Sequence, residues 1–91
     1  MANIQNISSA EAKKLLDSNE AILIDVREPA EHRSEKIPSA QNIPLSRIKS
    51  DHIKPHKDKK VILHCKAGKR SEEACQKIIK GLDFDIYSIE G

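Results

Sequence analysis

A cysteine followed five residues later by an arginine, with a glycine and two lysines between them, is the part of this chain best equipped for chemistry. It lies in the octet His64-Cys65-Lys66-Ala67-Gly68-Lys69-Arg70-Ser71. An apolar run with the character of a buried strand precedes it, and a helical pattern follows. At a strand-to-helix junction backbone N–H groups converge and the helix dipole is positive. That setting lowers a thiol's pKa and favours the thiolate, the form that attacks. It also gathers anions. The octet therefore proposes a nucleophilic Cys65 acting on an anionic substrate, with Gly68 supplying the backbone freedom that turns amides inward.

The elements that must position this octet are legible in the pattern of apolar residues. Ile4 to Ile7 reads as a short first strand. Ser8-Ser9-Ala10-Glu11 is a capping box, with Ser8 as cap and Glu11 at the third helical position. The helix it opens runs to about Asp17 and places Ala12, Leu15 and Leu16 on one face. Ala21 to Val26 is a short continuous apolar run, as in a strand of a parallel sheet buried on both faces. Pro29 starts a brief helix through His32, Ile37 to Ala40 is a turn, and Gln41 to Ile43 is a short strand stopped by Pro44. A second short helix is expected from Leu45 to about His52, with Leu45, Ile48 and Ile53 on one side. Val61 to His64 is the second buried strand. Ser71 to Lys80 reads as a helix with Ala74, Cys75, Ile78, Ile79 and Leu82 as its apolar stripe and Gly81 as its C-cap. Asp85 to Ile89 is the last strand. Strands alternating with helices in this way predict an α/β fold with a mostly parallel sheet and helices on both faces. In such sheets, sites lie beyond the carboxyl ends of the strands, where Cys65 falls.

Composition narrows the function. The 91 residues fit one domain, residues 1–91, with 37% apolar and 33% charged residues, as in ordinary soluble domains. With only Phe84 and Tyr87 as aromatics, the core must be aliphatic. A net charge of +2 with well-mixed signs makes no case for a nucleic-acid partner. The densest basic stretch, Lys54 to Lys60, has no interleaved aromatics on which bases could stack and reads as a solvated loop. There is no apolar run long enough for a membrane span and no secretory pattern at Met1 to Ser9, so a cytoplasmic setting and no membrane partner are expected. Cys65 and Cys75 match no metal or redox spacing. His32, His52, His56 and His64 form no ligand cluster. No metal and no cofactor are expected.

Three blocks taken in order carry a resemblance: Asp25-Val26-Arg27-Glu28-Pro29, then Ile37-Pro38-Ser39-Ala40-Gln41-Asn42-Ile43-Pro44, then the Cys65-to-Ser71 loop. Together they resemble a single-domain rhodanese, a sulfurtransferase, over nearly the whole chain. The resemblance implies the rhodanese α/β fold, a parallel five-stranded sheet between helices. It implies that Cys65 is the catalytic nucleophile and that Cys65 to Arg70 form a cradle of backbone amides. Lys66, Ala67, Gly68, Lys69 and Arg70 are then the substrate-binding residues. A sulfane sulfur, from a small anion such as thiosulfate, would move to Cys65 as a persulfide, and cyanide, a cellular thiol or a protein acceptor would remove it. The chain departs from the family pattern at Glu35-Lys36, where Gly-His is common, and at Ser39, where glycine is common. Lys66 replaces a frequent arginine, keeping the charge and losing the planar fork. Family members also continue into a closing helix beyond the position of Gly91, so this is a shortened form or one whose end is missing, with a patch of sheet left less covered.

Other residues have plainer expected roles. Arg70 braces the loop or meets the anion. Lys69 either contacts substrate or lies in solvent, and Ser71 is an N-cap or first-turn residue. Cys75 packs in the core. Asp25 and Arg27 form an ion pair that orders neighbouring loops. Glu28 and Glu31 fit solvent-facing or helix-start positions. His64 ends its strand. Two rival functions remain in view. Cysteine phosphatases and arsenate reductases use a related His-Cys…Arg-Ser loop, but phosphatase loops hold five residues between Cys and Arg, and only four intervene here. A sulfur-relay or interaction module for a protein partner is the other.

Overall fold

The computed structural model describes residues 2–34, 40–64 and 69–89. Its first strand, β1 (Ile4–Ile7), leads into α1 (Ser9–Asp17) through the expected capping box. The Glu11 amide donates to Ser8 Oγ at 3.1 Å, and the Ser8 amide donates back to Glu11 Oε1 at 3.4 Å. This satisfies donors that the first turn of a helix otherwise leaves orphaned. Beyond the C-cap of α1 at Ser18, Asn19 has a left-handed φ of 62°, a conformation asparagine tolerates better than most residues. The chain then turns into β2 (Ala21–Asp25), followed by α2 (Pro29–Ser34), β3 (Gln41–Asn42), α3 (Ser50–Ile53) and a 3₁₀ turn over Lys54–His56. Strand β4 (Lys60–His64), helix α4 (Lys69–Ile79) and strand β5 (Ile86–Ile89) complete it.

The five strands form one sheet in the order β1-β5-β4-β2-β3, and every neighbouring pair is parallel. Parallel neighbours need crossover connections, and those helices cover the faces. The alternation of side chains along β2 and β4 divides the core. Ile24, Val26, Val61 and Leu63 face Ala74, Cys75 and Ile78 of α4, together with Ile48, Ile53 and Ile86. Ala21, Leu23 and Ile62 face Ala12 of α1, with Leu15 and Leu16 packed at the edge. On this second side a groove of about 740 Å³ runs between α1 and the sheet, walled by Ala12, Leu16, Leu23, Ile89 and His64.

Three local expectations change. The expected helix from Leu45 to His52 is instead a turn closed by Arg47 and Ile48 amides on the Pro44 carbonyl, both at 2.9 Å, and then the single turn of α3. Lys49 between them is extended, at φ −137° and ψ 157°. Ile48 and Ile53 are both fully buried, and a break in the chain lets two residues five positions apart enter the same core. Helix α4 starts two residues before the expected Ser71, so Lys69 and Arg70 belong to its first turn, and Ser71 takes the first-turn place rather than the cap. At Gly81 space decides. A side-chain carbon there would run into Ser50 of α3, so the glycine permits α3 to approach the end of α4. The expected turn over residues 37–39 lies outside the described residues. No helix among the described residues is long and apolar enough to cross a membrane.

Candidate active site

The carboxyl ends of β2 and β4 lie side by side, with Asp25 in register with His64. The Val26 amide donates to the His64 carbonyl at 2.9 Å and so ties the residue just before Cys65 to the exit of β2. Helix α4 resumes at Lys69. The four residues Cys65, Lys66, Ala67 and Gly68 lie outside the described residues. The frame on either side of them is well defined by β2, α2, β3 and α4.

The frame centres on Asp25, which has no exposure to solvent. Its Oδ1 accepts from the Arg27 amide at 2.9 Å and from Arg27 Nε at 3.0 Å, and its Oδ2 accepts from Arg27 Nη2 at 2.9 Å. His32 of α2 places Nδ1 2.9 Å from the same Oδ2. Burial by itself raises the pKa of this carboxyl. The hydrogen bonds from Arg27 and His32, with the Arg27 charge, more than reverse that and hold it below its usual 3.8. Asp25 is therefore an ionised acceptor, and the His32 ring N–H is the donor. Around it, Asn42 Nδ2 donates to the carbonyls of Asp25 at 3.0 Å and Arg27 at 2.9 Å, binding β3 to the same corner.

The second tie joins α2 to α4. Arg70 Nη1 and Nη2 donate to the two Glu31 carboxylate oxygens at 2.6 and 2.9 Å. A bidentate fork of this kind is the strongest ion-pair geometry available to side chains. The hydrogen bond from Arg70 holds Glu31 down at about 2, from a usual 4.5. A carboxylate with a depressed native pKa stabilises the fold above its unfolded pKa. Here that contribution is complete above pH 4.5 and is lost as pH falls through about 2. Helix α2 has no buried residue among the described ones. Two consecutive side chains, Glu31 toward α4 and His32 toward β2, hold it in place.

The remaining candidates sort by environment. Lys69 is exposed at the first position of α4. Ser71 is fully buried, and its Oγ lies 2.9 Å from Ser88 Oγ on β5, so it locks the start of α4 to the sheet. His64 is pushed below its usual 6.5, chiefly by burial, with Asp25 opposing and Arg27 reinforcing the shift. Its ring is neutral at pH 7 and adds no positive charge beside Cys65. Cys75 is fully buried, with Sγ 4.0 Å from the Tyr87 carbonyl, and burial pushes its thiol up to about 12. It packs as the helical stripe implies. Among the described residues no three His, Cys, Asp or Glu side chains group as a metal site would.

Three residues have roles that spacing did not single out. Glu31 stands in the first turn of α2, as expected, and is also one half of the Arg70 fork, while His32 and Asn42 are structural ligands of the Asp25 corner. Their partners stand between 7 and 39 residues away, so no local pattern announces them.

A parallel five-stranded α/β sheet, with Cys65 in the segment between the end of the central strand β4 and the start of α4, fits the class, and this chain belongs to the rhodanese-like domain family, whose model matches residues 8–91. It is 42% identical over 71 residues to the uncharacterized protein YqhL of Bacillus subtilis, covering 78% of this chain and 56% of that protein. It is 34% identical over 68 residues to a protein of Allochromatium vinosum named a sulfurtransferase, covering 75% of this chain and 64% of that one. The chain thus spans between half and two-thirds of the length of these two relatives. Among solved structures it resembles a human single-domain sulfurtransferase, TSTD1, with a TM-score of 0.72, 26% identity and coverage of 93% of this chain and 87% of that one.

Two outcomes follow from the frame. Replacing Asp25 with Ala removes the carboxylate that faces the buried Arg27 charge and should destabilise the protein by about 3–5 kcal/mol, read from urea unfolding. Brief alkylation of the native protein at pH 8 should leave Cys75 unlabelled by peptide mass spectrometry, with labelling appearing once the protein is unfolded.

Proposed function

We propose that this protein is a sulfurtransferase that carries a sulfane sulfur on Cys65. The reading is supported by what flanks Cys65 in the chain: β4 ends at His64, at a carboxyl end of the sheet, and α4 begins at Lys69. The segment that holds Cys65 precedes the N-terminus of the eleven-residue α4, the end of a helix suited to a thiolate and to an anionic donor. With His64 neutral, stabilisation of the Cys65 thiolate falls to the helix start and to the lysines of the loop.

The chemistry balances without a cofactor. The Cys65 thiolate attacks the outer sulfur of thiosulfate, a new S–S bond forms, and the S–S bond of the donor breaks. Sulfite leaves with that bond's electron pair. The persulfide anion on Cys65 then loses its outer sulfur to cyanide, giving thiocyanate and the free thiolate, or to a cellular or protein thiol. The covalent intermediate divides a difficult transfer into two easier ones. Amides of Lys66 to Arg70 would serve both anions as a fixed donor array, with Lys66 and Lys69 adding charge. A reducing cytoplasmic setting keeps Cys65 a thiol between turnovers. The four-residue spacing between Cys65 and Arg70 suits a persulfide sulfur better than a tetrahedral phosphoryl group.

Incubation with thiosulfate, removal of the excess and peptide mass spectrometry test this. A gain of one sulfur on the Cys65 peptide, removed by cyanide and absent from Cys65→Ser, is the expected result. A gain on Cys75 would overturn the site. Hydrolysis of an aryl phosphate by the wild type, with no sulfur gained, would favour the phosphatase reading.

A further inference from the structure

We infer that Glu31 is a positioning residue for this reaction, and that Arg70 acts through its fork with Glu31 rather than as a ligand of the anionic substrate. The inference rests on the sulfurtransferase reading, and it reassigns one of the cations that the sequence offers to the substrate.

The geometry argues for it in three ways. First, the Glu31 carboxylate takes one N–H from each terminal nitrogen of Arg70, at 2.6 and 2.9 Å, so the end of the guanidinium best suited to a bidentate oxyanion already faces one. A substrate anion there would have to displace a carboxylate that is charged at every pH above about 2. Second, Arg70 is the second residue of α4, and its partner sits on a six-residue helix with no buried side chain of its own among the described residues. Such a helix cannot be placed by apolar packing. It is placed by Glu31 on one side and by the 2.9 Å His32–Asp25 contact on the other. Third, Asp25 is in register with His64. The chain Arg70–Glu31–His32–Asp25 therefore connects the residue just before the cysteine loop to the first turn of the helix just after it. Both sides of the loop are referred to one rigid corner.

A positioning role and a binding role make different kinetic demands. A ligand of the anion contributes to donor binding and shows in KM, whereas a brace that sets the geometry of the reacting loop shows in kcat. Members of one unit are also non-additive.

The test is a double-mutant cycle on the full chain with Glu31→Ala, Arg70→Ala and the pair together, assayed for transfer from thiosulfate to cyanide. Each single change should lower kcat by about tenfold or more, with KM for thiosulfate kept within about twofold. The double variant should be no slower than the worse single within about threefold. The charge-exchanged variant Glu31→Arg/Arg70→Glu should recover part of the lost kcat. A large rise in KM on Arg70→Ala while Glu31→Ala leaves both constants unchanged would overturn the inference, as would strictly additive losses. Should the alanine variants fail to fold by circular dichroism, Glu31→Gln and Arg70→Lys make the same cycle with smaller disturbance. Wild-type turnover separates the reaction from the brace. If the wild type takes no sulfur from thiosulfate, the sulfurtransferase reading fails. The brace is then read from the rate of Cys65 alkylation against pH, which both single changes should shift alike and the double no further. Unequal or additive shifts would overturn it there too.

Discussion

A carboxylate without access to water governs this structure. Asp25 lies at the exit of a central strand with no exposed surface, and an ion in that place costs several kcal/mol unless its lone pairs are met. Arg27 and His32 meet them, at distances between 2.9 and 3.1 Å. Because the charge must be paired, the residue after β2 and the helix that follows are both drawn to one point. Because β2 and β4 are in register there, that point is beside His64. The two core layers on either face of the sheet set the strands. The polar corner sets what lies beyond them.

The same arrangement separates the thiols and cations of the chain by environment. Cys75, inside the apolar layer under α4, is held protonated, with a pKa of about 12, and is a poor nucleophile at neutral pH. His64 is held neutral by its burial. Arg70 is met by Glu31, while Lys69 stands in solvent at the head of α4.

Much of the fold was legible because its signals are local. Ser8 and Glu11 mark a helix start three residues apart. Ala21 to Val26 and Val61 to His64 mark strands buried on both faces, and the stripe from Ala74 to Ile79 marks the helix covering one of them. The short segment around Ile48 was not legible, because two core residues five apart fit neither a single helix nor a single strand, and a turn and a one-turn helix resolve the conflict. The site divides along the same line. The loop stood out through its own composition, and Asp25 with Arg27 through their closeness. Glu31, His32 and Asn42 did not, since their roles exist only once β2, α2, β3 and α4 meet.

The claim on which the rest turns is that polar contacts, rather than apolar packing, hold α2 beside the first turn of α4 and the end of β2. The most direct measurement is an NMR titration of the Glu31 side-chain carboxyl carbon. A midpoint near 2 would show the Arg70 fork intact across the acid range, as this account predicts. A midpoint at the ordinary value of 4.5 would show that Glu31 and Arg70 are independent in solution, and the frame described for the loop would not stand.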